Sequence, residues 1–221
     1  MVNTRPARIG DVAFLASIML AASRSHLPRG AWDLLLDAPD DVCLSFLEHL
    51  ARAEPPTFCH WGAFIVAEVD GEPAAALAGF DAGALADPVP TIERTLGTLG
   101  WTSRDIALGN ERLAPFFTCV PNWVPGLWRV EWVATRPEHR RRGIAERLLV
   151  EVLAAGARAG HRTAQLFVFV GNTPAIAAYE KNGFCVDQDR RDPRFEAALG
   201  SPGMLEMRRP LDDVRRALGW L

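Results

Sequence analysis

Apolar and polar residues follow two rhythms along this chain, one close to every second residue and one close to every third or fourth. TRPAR (residues 4–8) reads as a short strand, and Asp11 then stands where it can cap a helix whose Val12, Leu15, Ile18, Met19 and Ala22 share one face. The stretch SRSHLPRGAWDLLLDAP (23–39) is broken by Pro28, Gly30 and Pro39 and is expected to be a binding loop. A second helix is predicted from Asp40 to Ala53, with Val42, Phe46, Leu47 and Leu50 inward. In GAFIVAEVDGEPAAALAGF (62–80) two apolar runs flank Asp70-Gly71, a pair suited to the positive φ angles of a tight hairpin turn.

From about 82 to 127 the pattern is less regular. It holds ADPVP, two short helical segments (Thr91 to Leu99, Ser103 to Leu113) and the aromatic-rich PFFTCVPNWVPGLW, and reads as an insertion between the third and fourth strands. WRVEWVATR is then a strand, Arg141 to Ala159 a helix, TAQLFVFV an apolar strand and Pro174 to Asn182 a helix, with FCVDQ and MLEMRR as closing strands. These elements predict an α/β (α+β) protein, one domain over residues 1–221 with a central sheet flanked by helices.

Composition narrows the classes of partner. With 221 residues, 49% of them hydrophobic, the chain can bury one substantial core. A formal net charge of −3 argues against nucleic acid or a membrane surface as a partner, since both attract a basic surplus. Basicity is instead local and almost all arginine, Lys181 being the one lysine, and arginine suits fixed contacts to phosphate or carboxylate. Cys43, Cys59, Cys119 and Cys185 lack CxxC spacing and do not combine with the five histidines at ligand distances, so no metal is expected. No apolar run resembles a signal segment or reaches the roughly 18 residues of a membrane span, so the expectation is a cytoplasmic protein with reduced thiols.

The most concentrated charge is in RPEHRRRGIAERLLVEVL (136–153), where three arginines and a glycine precede an amphipathic helix with Ile144, Leu148, Leu149, Val152 and Leu153 inward. Unpaired N–H groups and the dipole at a helix start favour an anion, and Gly143 lets one approach the backbone with no Cβ in the way. A pyrophosphate meets these requirements, although the spacing is neither GxxxxGK[ST] nor GxGxxG. An ordinary solvated charge run or a weak nucleic-acid patch is the competing reading, and the net acidity of the chain weighs against it.

RRRGIA (Arg140 to Ala145), following a strand that ends in VATRP, resembles the (Q/R)xxGx(G/A) motif of the GNAT superfamily of acyl-CoA-dependent N-acetyltransferases. Downstream, NTPAIAAYEKNGF (Asn172 to Phe184) is similar to that family's second signature: an asparagine, a helix bearing a tyrosine, and a Gly-Phe pair opening the next strand. The resemblance extends to the N-terminal strand and helix, the Asp70-Gly71 hairpin and MLEMRRP, and only about 82–127 departs from it. It implies a mixed, largely antiparallel sheet, with acetyl-CoA (coenzyme A) as co-substrate and no metal. It also implies that the backbone of Val133, Ala134 and Thr135 pairs with the pantetheine arm. Arg140 and the backbone amides of Arg141, Arg142, Gly143, Ile144, Ala145 and Glu146 would hold the pyrophosphate, and Asn172 and Tyr179 would flank the thioester.

Acyl transfer to an amine needs a group to remove a proton from the ammonium, a donor for the oxyanion and an acid for the departing thiolate. Glu131 is the candidate base, taken to share a strand face with Arg129 and Val133; the Val133 amide is the candidate oxyanion donor and Tyr179 the candidate acid. Each has a structural competitor. Glu131 can be a surface residue paired with Arg129, Asn172 a helix cap ahead of Pro174, and Tyr179 a core aromatic. Tyr179 is nevertheless the only tyrosine beside eleven Phe and seven Trp, and its hydroxyl is what Phe would not supply. The acceptor is expected to be a small-molecule amine shaped by HLPRGAWDLLLD and the insertion. Trp32, Phe116, Phe117, Trp123 and Trp128 form either its apolar wall or a minor core, and Asp33, Asp37, Asp105 and Glu111 are available to attract a cation. The alternatives are a protein or peptide amine, which needs an open groove, and a non-catalytic acyl-CoA-binding module. The insertion is also a candidate homodimer surface.

Overall fold

The computed structural model describes residues 2–85, 87–121, 124–217 and 219, so that Trp123 lies outside the described residues. Seven strands, β1 (Val2–Pro6), β2 (Phe64–Val69), β3 (Glu72–Asp81), β4 (Trp128–Thr135), β5 (Thr163–Phe169), β6 (Cys185–Arg191) and β7 (Gly203–Pro210), form one sheet in the order β1-β2-β3-β4-β5-β7-β6. All neighbouring pairs are antiparallel except β4 and β5. The β2–β3 hairpin turns at Asp70 and Gly71, with φ of 53° and 90°, the two positive angles that this dipeptide tolerates.

Alternation along β3 separates two of the three buried clusters among the described residues. Ala76, Ala78 and Phe80 face α1 (Val12–Arg24), α2 (Ala31–Leu36), α3 (Asp40–Ala51) and the inserted α4 (Val89–Thr98) and α5 (Ser103–Leu113). Ala75 and Leu77 face α6 (Ile144–Arg158), with Tyr179 of α7 (Thr173–Lys181) in the same core. Tight seating of α6 depends on missing side chains: a Cβ on Gly156 would lie 2.5 Å from Trp128 Cγ, and one on Gly79 would lie 2.9 Å from Trp128 Cζ2.

Several local expectations change in the tertiary setting. Asp11 stands at the N-cap of α1, but its carboxylate does not cap; it takes two hydrogen bonds from Arg5 (2.7 and 2.9 Å) and one from the Arg8 N–H (2.7 Å). In α3 the inward stripe is Cys43, Phe46, Leu47 and Leu50, and Val42 is exposed, because Cys43 completes the i, i+3, i+4, i+7 pattern. The expected loop after α1 contains α2, whose Asp33 reaches back to the Gly30 N–H at 2.8 Å and pairs with Arg24 at 2.6 Å. Two further helices, α8 (Pro193–Leu199) and α9 (Asp212–Ala217), stand where no helix is expected. Asp192 caps α8 through the Arg194 N–H (2.8 Å), and Gly200 in the left-handed region ends it.

Candidate active site

The sheet opens where β4 and β5 part. Their parallel pairing covers only Trp128 with Ala164 and Arg129 with Gln165, so β4 from Val130 onward has no strand partner on that side, while β5 stays paired with β7 along its length. On its other edge β4 carries a bulge: Ala78 pairs with Glu131 and Ala76 with Ala134, leaving Leu77 opposite both Trp132 and Val133. Trp132 takes φ of 58°, a left-handed value unusual for a bulky residue.

The bulge corrects the expectation that Glu131 and Val133 share a face. Strict alternation would put them together, but the extra residue turns Trp132 toward the α1 side with Glu131 and Arg129, while Val133 packs in the α6 core with Val130. Backbone polarity survives the correction. Arg136 N–H donates to Ala74 O on β3 (2.8 Å), so by alternation the Thr135 and Val133 amides face the open side, and the Thr135 carbonyl there accepts from Arg140 Nε at 3.2 Å.

A cleft of about 290 Å³ fills the opening. Glu131, Val133, Ala134, Thr135, Arg140, Asn172 and Tyr179 all line it, with Ser25 from the end of α1 on the far wall. Arg141, Arg142, Gly143, Ile144, Ala145 and Glu146 do not line it; they follow Arg140 directly in the chain and lead through the N-cap Gly143 into the first turn of α6. There Arg141 (φ 59°) and Gly143 (φ 70°) both adopt left-handed angles ahead of the first-turn N–H groups, a backbone shape suited to an anion. A Cβ on Gly143 would meet nothing within 4 Å, so the space beside that backbone is open. Ile144 is buried as the helix anchor, and the Glu146 carboxylate binds Lys181 at 2.9 Å, tying α6 to α7.

Asn172 serves two purposes. Its Oδ1 accepts from Ala175 N–H (3.3 Å), capping α7, and its Nδ2 donates to Ser25 Oγ (2.6 Å), holding the two walls of the cleft together. Tyr179 is buried with its ring edge-on to Phe184, and burial pushes its phenol above the usual range, so it keeps its proton throughout the neutral range.

Glu131 is tied to a buried polar chain that the apolar strand patterns do not announce. Arg129, 1% exposed, donates to Glu131 (2.7 Å) and to Gln165 Oε1 (2.9 Å), and lies 3.5 Å over the Phe167 ring. Gln165 donates in turn to Glu206, which also accepts from Arg208 (2.7 Å). Burial lowers the pKa of the Arg129 guanidinium and the neighbouring Glu131 carboxylate opposes that shift. Single polar residues inside TAQLFVFV and MLEMRR are the signal from which Gln165 and Glu206 could have been found.

A second cavity, of about 640 Å³, lies on the other side of Glu131 beneath the insertion. Trp32, Phe116, Phe117, Glu131, Trp132 and Phe167 are on its wall, and Phe116, Glu131, Trp132 and Phe167 also line the first cleft, so the two spaces meet at Glu131. Trp128 does not contribute; it packs in the α6 core. Asp33, Asp37, Asp105 and Glu111 do not line the cavity either: Asp33 pairs with Arg24, Asp37 with Arg29, and Asp105 closes the cap of α5 with Thr102.

The sequence model of the Acetyltransferase (GNAT) family matches residues 35–184. No curated protein matches the chain in sequence. Among solved structures, an acetyltransferase superposes with a TM-score of 0.68 at 17% identity, covering 95% of this chain and 100% of its own. An N-acetyltransferase from Staphylococcus aureus Mu50 gives 0.66 at 20% identity, covering 93% and 99%. The ribosomal-protein-S18-alanine N-acetyltransferase from Escherichia coli gives 0.52 at 15% identity, covering 96% and 94%. At these identities the likeness shows a shared fold.

Proposed function

From the premise that the chain belongs to the GNAT acetyltransferase family, we propose that it transfers the acetyl group of acetyl-CoA to the primary amine of a small molecule by direct attack. The observation that carries this reading is the meeting of the β4–β5 cleft and the cavity under the insertion at Glu131. The residues fit the donor. The β4 backbone at Val133 and Thr135, which has no strand partner on that side, suits the amide-bearing pantetheine arm, and Arg140 with the first turn of α6 suits a pyrophosphate.

Acetyl-CoA supplies a thioester whose carbonyl carbon accepts the amine lone pair and whose sulfur leaves with the C–S bonding electrons. Glu131 takes one proton from the acceptor ammonium, directly or through a water, freeing the lone pair. The Val133 amide donates to the carbonyl oxygen as it gains charge. Tyr179, protonated at neutral pH, donates its proton to the departing sulfur, and the second proton lost from the attacking nitrogen replaces it, so that amide, thiol and one released proton balance the reaction. Asn172 positions this acid by capping α7 and fixing its start against Ser25.

A protein acceptor needs an open groove, and the α4–α5 cover over the cavity favours a small molecule. Calorimetric titration with acetyl-CoA, beside Gly143→Glu, tests the donor site. That side chain has room within the fold but would occupy the space where a pyrophosphate would sit, at a backbone strain of about 1–2 kcal/mol. Saturable binding by the native protein and its loss in a folded variant are expected, followed by amine-dependent thiol release. Binding without release by any amine or peptide would leave a non-catalytic acyl-CoA-binding protein.

A further inference from the structure

The cavity under the insertion carries a statement about the acceptor. Its inner end holds the paired Glu131 and Arg129; away from that end the wall is mostly apolar, with Trp32 and Leu35 from α2 and Ile92 and Leu96 from α4. Trp32, Trp132 and Phe58 stack there with centroids 5.9–6.4 Å apart and interplanar angles of 11–26°. Val89 and Phe117, also on the wall, are 50% and 60% exposed, so apolar surface continues to solvent. The other acidic lining residue, Glu93, is exposed. A volume of about 640 Å³ lies within the range of small-molecule sites, about 300–1,000 Å³.

We propose that the acceptor is a hydrophobic monoamine, an alkyl- or arylalkylamine, bound with its nitrogen at Glu131 and its apolar body against the Trp32, Ile92 and Leu96 wall. This rests on the acetyl-transfer reading above. One carboxylate at the inner end answers one ammonium. A second cationic centre on a diamine or polyamine would be desolvated against aromatic and aliphatic groups wherever it lies away from Glu131 and the exposed Glu93, and the hydroxyls of a sugar amine would lose their water partners. An apolar body instead releases water from wall and ligand alike, and each methylene is worth about fourfold in affinity when fully buried.

The test is steady-state thiol release by the full chain with acetyl-CoA and a series of amines from ethylamine to hexylamine, then 2-phenylethylamine, with 1,6-diaminohexane as the same-length dication. The specificity constant kcat/KM is expected to rise about threefold to fourfold per added methylene until the cavity is filled, and hexylamine to exceed 1,6-diaminohexane at least tenfold. Ile92→Trp, which narrows the cavity, is expected to reverse the order of ethylamine and hexylamine. A flat length profile, or preference for the diamine, overturns the inference while leaving acetyl transfer intact. Preference for a peptide amine overturns both the inference and the small-molecule reading. Acetyl-CoA binding with no release by any acceptor overturns the transfer reading itself.

Discussion

Alanine at Gly156 sets two opposing effects against each other in one helix. Ala is favoured over Gly in a helix interior by about 1 kcal/mol, so propensity alone predicts a more stable protein. The added methyl group, however, would start 2.5, 2.6 and 2.9 Å from Cγ, Cδ1 and Cδ2 of Trp128, well inside the roughly 3.5–4.0 Å optimum for carbon pairs. Those are the ring atoms nearest the Trp128 backbone, and the rest of the ring is confined as well, because Gly79 of β3 stands close to its Cζ2 and Nε1. Relief requires α6 to shift from the sheet, and overpacking of this kind costs about 1–3 kcal/mol. The propensity gain is cancelled and a net loss of up to about 2 kcal/mol remains, which in a chain of this size lowers Tm by up to about 8 °C. Gly97 in α4 is the internal control. A Cβ there meets nothing within 4 Å, so Gly97→Ala should gain up to about 0.5–1 kcal/mol and raise Tm slightly. Thermal unfolding of the two variants and the native protein, followed by circular dichroism, decides it. A Gly156→Ala protein as stable as Gly97→Ala would refute the close seating of Trp128 under α6.

Further outcomes follow from other sites. Tyr179→Phe keeps the ring against Phe184 and should leave stability and acetyl-CoA affinity unchanged while kcat falls about 10²- to 10⁴-fold, measured by thiol release with calorimetry alongside. Glu131→Gln keeps an acceptor for Arg129 and should fold, with a similar loss of kcat/KM that shrinks at high pH as more of the amine is deprotonated in solution. The Arg5 hydrogen bonds hold the Asp11 carboxyl below its ordinary value, so the pair contributes its full stability above the unfolded carboxylate range near pH 4. That stability is lost as pH falls through the lower folded value. Asp11→Asn should therefore lower Tm at pH 7, with the gap to the native protein narrowing as pH falls below the unfolded carboxylate range, and a gap that stays constant on acidification would contradict the linkage. Burial pushes the Cys43 thiol up to about 11 and raises Cys59 as well, and Cys119 is also buried, whereas Cys185 is exposed. A thiol reagent should titrate one cysteine in the native protein and four after denaturation, which also sets the background for thiol-release assays.

Sequence alone determined what depends on neighbours a few residues away. The Asp70-Gly71 hairpin, the helices on either side of the sheet and the Arg140 to Ala145 motif at the start of α6 are set by backbone freedom, apolar period and the unpaired N–H groups of a first turn. The membership of Asn172 and Tyr179 in one cleft with Val133 to Thr135 was visible only through resemblance to a family, because strands far apart in the chain have no local reason to meet. Tertiary structure decided the rest. Trp132 enters a left-handed conformation against its own preference because the β3 pairing resumes one residue out of step, and that single residue separates Glu131 from Val133. Likewise the buried Arg129 meets Gln165, which with Glu206, on two other strands, extends the polar chain begun at Glu131. Trp32, Phe116 and Phe117 reach the cavity wall while Trp128 packs on the α6 face, a choice set by packing between distant segments.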